Sequence, residues 1–180
     1  MVAKQKQPAV YTKPYKYLHW ILALLIIAML SVGFFMGDMP RAWKGAVYML
    51  HKSTGLSILA LMMLRLVWLW HHGKPKLPDY VPVWERVLAT SVQHLLYVAT
   101  IAMALSGWIM ATASNKVPIF FGLFRVPCPF VPENDALAAV MNASHKTLAW
   151  LLLGLIFLHI CGALKHYFID KDDILSRMIP

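Results

Sequence analysis

The amino-acid sequence predicts an all-α protein, a transmembrane four-helix bundle. Three observations predict it. Hydrophobic residues make up 59% of the 180 residues and charged residues only 14%, against about 25% charged in an ordinary soluble domain. Four runs are nearly free of Asp, Glu, Lys and Arg, and each reaches the roughly 20 residues that a helix needs to cross a bilayer. Seven Trp and seven Tyr are available to anchor two interfaces between water and lipid. The same composition excludes a disordered chain, which would be poor in apolar residues. Four spans nearly exhaust the length, so residues 1–180 read as one membrane domain with no room for a large extramembrane enzyme domain.

The first run, Tyr17 to Gly37, holds 21 residues without a charge, and the span is placed at about 15–37. Pro14 suits its start, because the N–H that proline lacks would be unsatisfied there anyway. The basic start also resembles a cleaved signal peptide, but the apolar stretch exceeds the roughly 7–15 residues of such leaders. The second span reads from about 48 to 70, with Lys52 and Arg65 near its ends, where long basic side chains can snorkel to the interface. The third is placed at about 86–112, inside a charge-free run over 87–115. The fourth is placed at about 142–168.

Between the last two spans lies a connection of about 30 residues, Ala113 to Met141. Pro118, Pro127, Pro129 and Pro132 keep it from forming one long helix. Its stretch PIFFGLF, 118–124, reads as a segment lying on the outer membrane face or packing on the bundle top. Cys128 falls in this connection and Cys161 deep in the fourth run, at different depths, so neither a disulfide nor a thiolate metal site is indicated.

The net charge is +9. In a soluble protein that balance would suggest nucleic acid; here the basic residues flank apolar runs, so no nucleic-acid partner is expected. The N-terminal tail (Lys4, Lys6, Lys13, Lys16), the connection after the second span (Arg65, Lys74, Lys76, Arg86) and the C-terminal end (Lys165, Lys171, Arg177) carry eleven Lys and Arg. The other side has six: Arg41, Lys44, Lys52, Lys116, Arg125 and Lys146. Positive-inside reasoning places both termini in the cytoplasm.

Five of eight histidines fall within the spans: His19, His51, His94, His145 and His159. An ionisable side chain in lipid is costly and marks a functional site by default. His145 and His159 are 14 residues apart, so on a helix they share nearly one face with a rise of about 21 Å. His51 opens the second span in the layer of His145, and His19 lies in the layer of His159. Two cross-helix pairs result. Facing imidazoles can hold a haem iron by both axial positions or a bare transition metal. Zinc wants three or four protein ligands, whereas each layer offers two, so haem is favoured. Gly55 and Gly162 lie on the faces of His51 and His159, where they leave room for a flat ring or for close helix packing. Lys52, Lys146 and Arg41 are candidates to pair with outer haem propionates, and Arg65 and Lys165 with inner ones; snorkelling is the alternative for each. His94 lies in the inner layer, either replacing His19 as a ligand or serving a proton or a quinone. His166, at the inner end of the fourth span, is a candidate to protonate a substrate.

The pattern LHW (18–20), LHKSTG (50–55), SGW (106–108), PIFFGLF (118–124), SHK (144–146), LH (158–159) and ALKHYFIDKD (163–172) resembles the bacterial cytochrome b-561 family over nearly the whole chain, from about Tyr15 to Met178. The resemblance implies a four-helix bundle of the bacterial inner membrane with two b-type haems, His19 and His159 holding the inner one and His51 and His145 the outer one. Some family members are similar to superoxide:ubiquinone oxidoreductase, which takes an electron from superoxide and reduces membrane quinone. Others in the wider superfamily are haem subunits of hydrogenases and dehydrogenases. The sequence departs from the family pattern in the third span: the usual His four residues before the Tyr is Gln93, with His94 one step later, before Tyr97. His166 matches the C-terminal family His.

The expected function is therefore electron transfer by a di-haem b-type cytochrome, an oxidoreductase that oxidises superoxide and reduces ubiquinone in the lipid. The alternatives are a haem relay for a redox partner protein, and a haem-free bundle for transport or scaffolding.

Overall fold

Four long helices account for most of residues 10–180, the part of the chain that the computed structural model describes; Lys4 and Lys6 of the orientation argument lie outside it. They are α1 (Lys13–Phe35), α2 (Arg41–His72), α3 (Val83–Ala113) and α4 (Asp135–Lys165). Among the described residues these four are long and apolar enough to cross a membrane. Leu24 is 68% exposed, Val98 65% and Phe157 66%. Apolar surface on that scale is unfavourable in water and ordinary against hydrocarbon tails. The fold is thus an all-α four-helix bundle, as the sequence predicts.

Each helix start has a local cause. Pro14 sits in the first turn of α1, Pro40 precedes α2 and Pro82 precedes α3, where a missing N–H costs nothing. The Asn134 side chain accepts from the Leu137 N–H at 2.9 Å and caps α4. Helices α2 and α4 begin about seven residues before the spans predicted at 48 and 142, because a charge ends the hydrocarbon stretch and not the helix. At 32 residues, α2 is about 48 Å long, so its ends stand clear of a hydrocarbon core of roughly 30 Å. It stops at Gly73, whose φ of 70° is a left-handed conformation that glycine adopts freely.

The helices run up, down, up and down. At one end Trp20 Nε1 donates to the Met178 carbonyl at 2.9 Å, Lys16 Nζ to the Ile179 carbonyl at 2.7 Å, and Arg177 to the Lys76 carbonyl at 3.2 Å. The start of α1, the α2–α3 connection and the C-terminal tail therefore share that end. The tail reaches it through a π-helical turn, His166–Asp170, and a left-handed Lys171. Two apolar clusters fill the bundle, one around Leu22, Ile58 and Met62 and the other around Leu30, Val92, Ala99, Leu152 and Leu155.

At the opposite end the α3–α4 connection is shorter than the charge pattern suggests, spanning 114–134. Within it Ile119–Phe120 (β1) pairs antiparallel with Phe124–Arg125 (β2). The turn between them takes positive φ at Phe121 and Gly122. Ser53, fully buried on α2, pins this hairpin: it accepts from the Phe121 N–H at 2.9 Å and donates to the Ile119 carbonyl at 3.2 Å. Trp108 Nε1 donates to the Val126 carbonyl at 2.8 Å. The hairpin therefore packs on the bundle top, while Leu123, Phe124 and Phe130 point outward and exposed. Cys128 and Cys161 are both free. Burial pushes the Cys128 thiol up, so it stays protonated at neutral pH.

Lys165 Nζ lies 2.7 Å from Glu85 and 3.0 Å from Asp170, joining α4 to the start of α3. The groups are partly exposed, which limits what the pair contributes. Glu85→Ala is expected to lower stability by about 1 kcal/mol, read as a fall of a few degrees in the melting temperature of the detergent-solubilised protein. An unchanged melting temperature would mean that the pair adds nothing.

Candidate functional site

The 14-residue spacing on α4 places His145 and His159 toward the bundle at two levels. Each meets one histidine from another helix. The His19 and His159 ring centroids are 6.2 Å apart with an interplanar angle of 73°. The His51 and His145 centroids are 6.4 Å apart at 74°. In both pairs the rings stand nearly perpendicular at almost the same separation. Two metal–nitrogen bonds of about 2.0–2.1 Å each would set ring centres about 6 Å apart, so one metal ion fits between each pair. Neither pair has a third donor: among the described residues, the group of three or more His, Cys, Asp or Glu side chains close enough to share an ion is Glu85, His166 and Asp170. Two axial nitrogens and no more suit a haem better than a bare ion.

Small residues make the histidine positions possible. A Cβ on Gly107 would stand 2.9 Å from His145 Cε1 and 3.3 Å from its Nδ1, closer than real side chains pack. Gly107 therefore leaves the space in which the His145 ring sits. Gly33 does the same more loosely for His51, at 3.4 Å. Gly55 has nothing within 4 Å and opens on a cavity of about 860 Å³ between the helices, lined also by His51, His145, Tyr48, Trp108 and Lys146. A room of that size and apolar character suits a flat cofactor. Gly162 is exposed, with nothing within 4 Å.

The hydrogen bonds of the four rings differ. His145 Nδ1 is 3.0 Å from the Met103 carbonyl and 3.0 Å from Ser106 Oγ. The buried Nδ1 atoms of His19 and His51 have no partner among the described residues. Every donor a ring spends at Nδ1 leaves Nε2 for a metal.

The candidate propionate partners separate. Lys52 and Lys146 both line the cavity, and Lys52 Nζ donates to the Lys116 carbonyl at 2.8 Å. Arg41 is exposed and away from the cavity lining. The Arg65 guanidinium lies 4.7 Å over the Tyr15 ring and 5.2 Å over the Tyr97 ring. One of its nitrogens donates to the Tyr15 hydroxyl at 3.3 Å, and that hydroxyl is 2.8 Å from the Tyr97 hydroxyl. Its buried Nε has no partner among the described residues, a donor suited to an anionic group. Lys165 is committed to Glu85 and Asp170 instead. Its ammonium also takes the place a cation would have among Glu85, His166 and Asp170.

His94 is exposed on α3, and Gln93 beside it is half-buried; the structure does not bring His94 to the His19–His159 pair. His166 is nearly buried, its Nδ1 2.8 Å from Asp172 and 3.1 Å from Asp170. Ser53, Ser106, Gly33 and Gly107 went unassigned in the sequence. Three of them stand in short motifs, Ser53 in STG and Ser106 and Gly107 in SGW.

A family profile described as prokaryotic cytochrome b561 matches residues 10–180. A cytochrome b561 homolog 2 of Escherichia coli (strain K12) is 35% identical over 165 residues, covering 89% of this chain and 86% of that protein. A probable superoxide oxidase of Yersinia pestis is 33% identical over 165 residues, 91% and 92% of the two chains. A probable Ni/Fe-hydrogenase 1 B-type cytochrome subunit of Escherichia coli (strain K12) is 17% identical over 207 aligned positions, 94% and 88% of the two chains.

Proposed function

The chain belongs to the prokaryotic cytochrome b561 family, a family of bacterial haem-b membrane electron carriers, and from that premise we propose that it holds two haems and carries electrons from superoxide to membrane ubiquinone. The observation that supports this most is the repetition of one geometry at two levels: two facing imidazoles, each pair spaced for a single metal ion. A haem held by such a pair would supply one-electron transfer.

The residues divide the remaining work. His51 and His145 would hold the outer group, with Gly55 giving it room and Lys52 and Lys146, which line the same cavity, as partners for its anionic groups. His19 and His159 would hold the inner group, with Arg65 as the partner of an anion. Arg41, Lys44, Lys52, Lys116, Arg125 and Lys146 at the outer end face only three acids, Asp38, Glu133 and Asp135. That excess attracts a small anion. The basic surplus at the other end sets both termini in the cytoplasm. Two superoxide anions each give up one electron and leave as oxygen; ubiquinone takes both electrons and two protons. His166, bonded to Asp170 and Asp172, is the group through which a proton passes to the reduced quinone at the inner end. His94, exposed on α3, serves the same lipid-entering quinone.

Purified protein given only superoxide and a ubiquinone analogue is expected to form quinol, at a rate that falls as salt screens the outer cations. His166→Ala should slow that reaction at least tenfold while both haems remain. Absence of haem-dependent quinol formation would exclude the superoxide reading. A second reading is a haem relay for a soluble dehydrogenase or hydrogenase. The relative named as a hydrogenase subunit and the exposed Leu123, Phe124 and Phe130 favour it. On that reading the protein ignores superoxide and copurifies with its partner.

A further inference from the structure

The motif Ser106–Gly107–Trp108 holds no ligand, yet each residue bears on the outer site. Trp108 ties the hairpin down and Gly107 makes room for the His145 ring. Ser106 is only 5% exposed. Its hydroxyl donates to the Met103 carbonyl at 2.9 Å, so the proton is spent and the oxygen lone pairs are free. Those lone pairs face His145 Nδ1 at 3.0 Å, and the Met103 carbonyl faces the same nitrogen at 3.0 Å. Both can only accept. The hydrogen of the ring must therefore sit on Nδ1, shared between two acceptors, and Nε2 keeps its lone pair for a metal. Among the described residues, His51, opposite, and His19, in the other pair, have no such partner at Nδ1.

We infer that Ser106 is a positioning residue that makes His145 a stronger electron donor than His51 or His19 and so sets the reduction potential of the outer site below that of the inner one. Acceptors at Nδ1–H draw the proton off the ring and leave more negative charge on it. A more basic axial ligand favours the oxidised iron over the reduced iron, and hydrogen bonds to ligands are among the protein's means of setting a potential. With the outer site at the lower potential, an electron entering there runs inward, toward the couple of higher potential. The inference rests on the reading of two haems, one in each pair.

The test is a potentiometric titration of the purified, haem-loaded protein, followed by absorbance, with no superoxide or quinone present. His51→Ala, which keeps the inner pair, identifies the inner couple. Ser106→Ala is expected to raise the outer midpoint and leave the inner one in place. Ser106→Thr, which keeps the hydroxyl, should bring the outer midpoint back toward wild type. An outer midpoint unmoved by Ser106→Ala would overturn the inference, as would equal shifts of both couples. Loss of the outer haem in Ser106→Ala would overturn it too, because the Met103 carbonyl still holds the ring and Ser106 would then serve binding rather than potential. One haem per wild-type chain would show, before any substitution, that the two-haem reading itself had failed, whereas two haems titrating at one midpoint would overturn the inference.

Discussion

Replacing His51 with alanine is expected to take one of two haems from the protein and leave the other in place. His51 and His145 come from α2 and α4 with ring centroids 6.4 Å apart, and among the described residues no third His, Cys, Asp or Glu joins them. With one axial nitrogen gone, little but apolar contact holds the outer group. The inner pair sits about 21 Å away along α4 and shares no ligand with it, so it should keep its haem. His19→Ala is the mirror case, emptying the inner level and sparing the outer. The measurement is the haem-to-protein ratio of each purified variant, with the difference spectrum showing which couple survives. Two haems retained in His51→Ala would mean that His51 is no ligand. Both lost together would mean that the levels are not independent.

The second large effect is expected from a residue with no polar chemistry. A Cβ on Gly107 would meet His145 at 2.9 Å, and the His145 ring cannot swing away without giving up the Met103 carbonyl and Ser106. Gly107→Val therefore forces either the ring or the α3–α4 contact to move. Overpacking of this kind costs about 1–3 kcal/mol, but the greater consequence is geometric: a ring displaced by even 1 Å no longer faces His51 across the gap. The expected result is a folded protein that has lost the outer haem and kept the inner one. Gly33→Ala, where the approach is 3.4 Å, should lower outer occupancy little. Equal outer haem in Gly107→Val and wild type would show that the ring has freedom the packing does not suggest.

The contrast between these two predictions shows what a sequence of this kind discloses. Lipid demands long helices with internally satisfied backbones, so the charge-free runs lead directly to α1–α4. The helical repeat carries the 14-residue spacing of His145 and His159 to one face, and depth alone then matches His51 and His19 to them. Those inferences use only position along a helix. Gly107 and Ser106 escape because their roles exist only where α3 meets α4, at a rotation that spacing along one helix does not contain. The same holds for Lys165, a plausible propionate partner by depth, which the fold gives to Glu85 on α3. His94 falls in the right layer yet faces outward, since a shift of one residue turns a helix by about 100°. The hairpin at 119–125 is built from a run whose prolines announce a loop without saying what Ser53 on α2 would do to fold it.

The central claim is that four histidines grip two b-type haems at separate levels of one bundle. A reduced-minus-oxidised spectrum of the wild-type protein, combined with a haem-to-protein ratio, tests it most directly. The account predicts a b-type spectrum and two haems per chain. One haem per chain, or a colourless protein, would contradict it.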